Sequence, residues 1–151
     1  VTPGSCRSVS PMRVHLFLVL AMITSLLMSA CGTEKSESGP DDRNEVIAAA
    51  LARIEADLGK PVKLEVRNFH RAGDWAFLDG QLQDTNGQPV DYSGTPFAEA
   101  AAHGGKSKRY DGLLKKTGPK WSILESAIGP TDVPWEGWKA KYPEAPVQVW
   151  P

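Results

Sequence analysis

The chain has 151 residues, 41% of them hydrophobic and 23% charged, with 17 basic against 18 acidic side chains and a formal net charge of −1. That size and balance suit a single globular domain with a core of its own. No basic patch stands out, which argues against nucleic acid as a partner, and no internal repeat is visible.

Taken from its start, the chain first shows the parts of an export signal. Arg13 and His15 follow Met12, and Leu16 to Met28 form an apolar core of 13 residues broken only by Thr24 and Ser25. Ser29 and Ala30 are small enough for a peptidase cleft. A membrane-spanning helix needs about 20 apolar residues, so this core reads as a signal, with a permanent span the weaker reading.

Met28-Ser29-Ala30-Cys31 resembles a bacterial lipobox, with Met28 where Leu is most frequent. The resemblance implies that the Cys31 thiol receives a diacylglyceryl group. The chain is then cut before Cys31 and the new amino terminus is usually acylated. Each buried methylene stabilises by about 0.8 kcal/mol, so one acyl chain holds reversibly and two or more hold stably. Gly32, in place of an Asp, favours the outer over the inner membrane.

The signal peptide is thus expected at 12–30, and residues 1–11, without an initiator Met, are expected to be an upstream translation artefact. Cys6 goes with them, which leaves Cys31 as the sole cysteine of a mature chain without a disulfide. Losing Arg7 and Arg13 and no acid shifts the formal charge from −1 to −3.

TEKSESGPD (33–41) reads as a flexible polar tether. From 42 to 151 a single domain is expected. Asp42 to Glu45 has the capping-box form. Ile47, Leu51, Ile54 and Leu58 then make one helical stripe, stopped by Gly59 and Pro61. VKLEVRNF (62–69) alternates as a half-buried strand, RAGD (71–74) can turn the chain, and WAFLDGQL (75–82) is a second strand. DTNGQP (84–89) is turn punctuation. A short helix follows, with Thr95 as cap, Pro96 first and Gly104-Gly105 as its end. RYDGLLKK (109–116) and WSILESAI (121–128) flank TGPK as a second hairpin. Asp132 is a plausible cap for a last helix that sets Trp135 and Trp138 one turn apart. The pattern predicts an α+β domain, one helix across a four-stranded antiparallel meander with a short C-terminal helix. This is a cystatin-like or NTF2-like scheme, an analogy of shape alone.

Chemistry is sparse. Asp74, Asp79, Glu125 and Asp132 lie in or beside strands that can be neighbours, and a carboxylate pair could do acid–base work. Turn, cap and solvent-facing roles explain them equally well. His70 and His103 stand 33 residues apart with no free Cys, which does not make a zinc set. Ser93 and Ser126 lack the setting of a nucleophile. HGGKSK (103–108) lacks the glycine spacing of a phosphate loop and reads as an exposed loop. Neither a cofactor nor a metal is expected. Trp75, Trp121, Trp135 and Trp138 make the domain rich in tryptophan; Trp135 and Trp138, with Tyr142, either close the core or form a binding platform.

GDWAFLDG (73–80) and SAIGPTDVPWEGWKAKYPEAP (126–146) carry a further resemblance, with Leu113-Leu114-Lys115-Lys116 and Trp121 in order between them. They resemble small exported proteins of proteobacteria whose function is uncharacterised, over residues 43–147, and the resemblance implies no activity and no catalytic residue. The expectation is a lipid-anchored protein of the bacterial envelope, facing the periplasm, with a binding or accessory role toward an envelope protein. Two alternatives stand beside it. One is a small-ligand binder or enzyme with a pocket between helix and sheet that uses Asp79 or Glu125. The other is an inhibitor or immunity-type protein presenting the loops 84–95 and 103–108.

Overall fold

The structure is a computed structural model that describes residues 40–151. The export signal, Cys31, Gly32 and the tether up to residue 39 lie outside the described residues. A first helix, α1 (Pro40–Leu58), is followed by β1 (Lys63–Ala72) and β2 (Trp75–Gln83). Next come a short helix α2 (Ala98–Ala102), β3 (Arg109–Thr117), β4 (Lys120–Ile128), α3 (Pro134–Lys141) and a 3₁₀ turn at Val147–Val149. The strands form one antiparallel sheet in the order β1-β2-β3-β4. The domain is therefore α+β, a meander with α1 on one face.

The covered stripe of α1 is rotated from the expected one. Val46, Ala50, Ile54 and Leu58 are its fully buried residues, whereas Ile47 and Leu51 are half-buried. A repeat of four makes a single ridge along the helix, and Ala50 at its centre lets the backbone come close to the strands. Burying each large aliphatic side chain contributes about 1.5–3 kcal/mol. Val62, Ala76, Leu78, Leu82, Tyr110 and Leu114 pack against this ridge.

Helix α1 also starts earlier than the capping box suggests. Proline suits the first turn because its φ is already helical, so Pro40 opens the helix and Asp42 lies inside it rather than at its cap. The Asp42 carboxylate instead ties the helix to three strands. It meets Arg71 Nη1 of β1 at 2.7 Å and Lys116 Nζ of β3 at 2.6 Å, and Trp121 Nε1 of β4 donates to it at 3.4 Å. The Lys116 bond, helped by Trp121 and Arg71, holds this carboxyl below its ordinary range against the opposing effect of burial. A depressed folded pKa means stability that is present above the unfolded value of about 3.9 and lost as pH falls through the folded value. Asp42→Asn is therefore expected to flatten the acid limb of stability, and urea midpoints at pH 7 and pH 3 measure the change.

Both hairpins close on two-residue turns that begin with a glycine at positive φ, Gly73 (59°) and Gly118 (59°). A two-residue turn lets Arg71 and Ala72 stay in β1, which runs on to Ala72 where the sequence suggested a turn from Arg71. The bulges fall on the outer strands, at Arg67 in β1 and Leu124 in β4, while β2 and β3 pair regularly. An edge broken this way is a poor template for another strand.

A third layer covers the far face. Alternation in β2 sends Ala76 and Leu78 toward α1, and Trp75 and Phe77 away from it. The outward set, with Leu113, is roofed by Trp138, Ala145 and Val149 of the C-terminal segment. Pro134 opens α3 after Val133, whose side chain makes no cap bond. Asp132 is thus not the cap expected; its backbone carbonyl accepts a hydrogen bond from Arg109 instead. Thr95 stands one turn ahead of α2, donating to the Tyr92 carbonyl at 2.7 Å and accepting from the Phe97 amide at 3.2 Å, so α2 starts at Ala98. Its end is as expected: Gly104 at φ 75° and Gly105 return their amides to Ala101 and Ala100.

Candidate functional site

Trp135, Trp138, Tyr142, Glu125 and Asp79 lie on the sheet face away from α1, where they fall into two groups. Trp135, Trp138, Tyr142 and Glu125 converge over the half nearer the hairpin turns. Trp138 is only 9% exposed and belongs to the core layer. Trp135 is half-buried, with Lys139 Nζ 4.3 Å above its ring. Tyr142 packs edge-on against Trp75 at 6.0 Å between centroids and donates its hydroxyl to Glu125 at 2.7 Å. Lys141 donates to the same carboxylate oxygen. Burial pushes the Glu125 carboxyl up, but the Lys141 and Tyr142 bonds outweigh it and leave the group below its ordinary range. The same bond raises the Tyr142 hydroxyl. Glu125 is thus a clamp that fixes the end of α3 to β4.

Asp79 stands apart on the other half of this face. Its carboxylate accepts from Asn68 Nδ2 at 2.9 and 3.2 Å, and its partner across the strands is Asp111. Asp111 is only 1% exposed and is gripped by Arg109 Nε and Nη2 at 3.0 and 2.9 Å. Burial raises the Asp111 carboxyl, Arg109 offsets this in part, and Asp79 and Asp132 add to it. Such a two-pronged guanidinium bond satisfies both carboxylate oxygens. Asp111 is the group that reading the sequence missed. Its signal was an acid in the middle of the RYDGLL strand, on the same face as Leu113. Trp150 was also overlooked; its ring lies 6.4 Å from Phe77.

Neither Asp79 nor Glu125 reaches the interface between α1 and the sheet. That interface is filled by Ile54, Leu78, Leu82, Tyr110 and Leu114, each fully buried. Period-two alternation is the reason: Asp79 follows Leu78, and Leu78 faces the helix. An open groove of about 460 Å³ lies on the outside of the C-terminal segment, lined by Lys139, Tyr142, Ala145, Val147 and Trp150.

The remaining candidates have structural tasks. Ser93 donates to Asp91 at 2.9 Å in a local turn, and Ser126 lies 3.4 Å from the Tyr110 hydroxyl. His70 packs edge-on to Phe77 at 6.4 Å, and His103 ends α2. The 103–108 loop is exposed as expected over 103–105, but 106–108 are half-buried and tied down. Lys106 donates to the Ile128 carbonyl at 2.8 Å, Ser107 to Pro130 at 2.6 Å and Lys108 to Val90 at 2.6 Å. Among the described residues, no three His, Cys, Asp or Glu side chains are placed to hold a metal ion. No protein-family model, curated protein or solved structure matches the chain.

Proposed function

We propose that this chain is a lipid-anchored protein of a bacterial envelope whose α+β domain binds a partner or plays an accessory role there. The observation that carries the reading is Met28-Ser29-Ala30-Cys31 at the end of a short apolar core, followed by a polar run that leads to α1. No helix among the described residues is long and apolar enough to cross a membrane; the reading gives attachment to Cys31. Gly32 favours the outer membrane, with the domain facing the periplasm. The resemblance to small exported proteins agrees with this address.

A binding role is favoured over catalysis by what the acids do. Asp79, Asp111 and Glu125 are bonded to Asn68, Arg109 and the Lys141–Tyr142 pair, and the helix–sheet interface is filled. Cys31→Ser is expected to move the protein from the membrane to the soluble fraction of a Gram-negative host. Equal membrane retention of both forms would contradict the anchor. Capture of an envelope protein by the wild type, lost in Trp135→Ala with circular dichroism unchanged, would place the partner on the C-terminal segment.

A further inference from the structure

We propose that the end of the domain formed by the Gly73-Asp74 and Gly118-Pro119 turns is a contact surface for anionic phospholipid headgroups. The inference rests on the lipid anchor proposed above and adds an orientation to it. Helix α1 begins at this end, because Asp42 in its first turn is bound to Arg71 and Lys116 beside the two turns. The stretch from Cys31 to Pro40 reaches about 30 Å at most, at 3.3–3.6 Å per residue. An acylated Cys31 therefore keeps this end near the bilayer.

Its charge fits such a surface. Arg43, Arg71, Lys115, Lys116 and Lys120 gather here with Asp42 and Asp74, and Asp41 shares the first turn of α1, although the chain as a whole carries a net charge of −1. Arg71 and Lys116 are committed to Asp42, which leaves Arg43, Lys115 and Lys120 to meet phosphate. Residues 117–120 are exposed, and Lys115 lies 4.5 Å above the Trp75 ring, which holds its ammonium at the turn. The opposite end carries Asp57, Asp84, Asp91 and Asp132 together with Lys60, Lys63, Lys106 and Lys108 on or beside its loops, so its charge is close to balance. A negative membrane attracts the first end within a Debye length of about 10 Å, whereas the balanced second end gains no such attraction. The domain then stands with its 84–91, 103–108 and 129–133 loops away from the lipid, where a partner can reach them.

The test uses the mature protein made from its own signal and reconstituted in vesicles. A fluorophore is placed on Pro119→Cys or Asn86→Cys, and the vesicles carry a headgroup quencher with or without a third of anionic lipid. Stronger quenching at 119 than at 86 is expected, greater with anionic lipid and reduced by high salt. Each of Lys115→Gln and Lys120→Gln is expected to lower the docked-to-undocked ratio roughly fivefold. Equal quenching at the two sites in anionic vesicles, with the protein floating with them, overturns the proposal and leaves the anchor standing. Absence of acyl mass on the protein defeats the anchor alone. The surface is then judged by unacylated chain: preference for anionic vesicles, lost in the double lysine variant, supports it, and indifference to lipid charge overturns it.

Discussion

Trp138→Ala is expected to cost about 3–5 kcal/mol, the range for removing a large aromatic from a packed interior. Trp138 is the side chain of α3 that reaches into the layer of Trp75, Phe77, Leu113 and Val149. Its loss opens the roof over β2 and β3 where no other helix can close it. Domains of this size hold together by about 5–15 kcal/mol, so the variant should retain only a fraction of its stability. Urea unfolding followed by tryptophan fluorescence measures this. Trp135→Ala, at a half-buried position, should lose markedly less. Equal and small losses at both positions would mean that the C-terminal segment is not part of the core.

Gly129→Ala is expected to lose about 2–4 kcal/mol through two separate mechanisms. Gly129 sits at φ 61°, where a Cβ is strained in itself. The added carbon would also stand 2.7 Å from both the Ser107 carbonyl oxygen and the Tyr92 hydroxyl. Those atoms cannot withdraw cheaply, because Tyr92 donates to that same carbonyl at 2.7 Å and the Ser107 amide donates to Gly129. Gly87→Ala separates the two mechanisms. It shares the positive φ, at 83°, but a Cβ there meets nothing within 4 Å, so it should show the backbone strain of about 1–2 kcal/mol alone. Thermal unfolding of the two variants side by side reads the difference.

Much of the fold was legible because its signals are local. The alternation of residues 62–69, the Gly-Pro turn at 118–119 and the stop at Gly59 depend on neighbours a few positions away. The rotation of α1 was harder to see. Ile47 and Leu51 are more hydrophobic than Val46 and Ala50, and only the closeness of the sheet selects the smaller residues. Asp42 shows the same limit. Its sequence setting is that of a cap, but Arg71, Lys116 and Trp121 compete for its carboxylate from 29, 74 and 79 positions away. Long-range pairings of this kind leave no mark in a local window.

The candidate site was legible only in part for a similar reason. Asp79 and Glu125 could be named as carboxylates, but whether they faced the helix depended on the parity of each strand. Parity fixed both on the opposite face, and a bulge at Leu124 shifts it midway along β4. Asp111 carries no local sign of its burial, because a strand acid between Tyr110 and Gly112 can face either side. The register that sets it opposite Asp79, with Arg109 folded back onto it, is a property of the assembled sheet.

The lipid anchor is tested most directly by the mass of the first tryptic peptide of the membrane-extracted protein, produced from its own signal in a Gram-negative host. A chain that begins at Cys31 and carries a diacylglyceryl group and an amide-linked acyl chain is expected. An unmodified Cys31, or a mature chain that begins elsewhere, would contradict it.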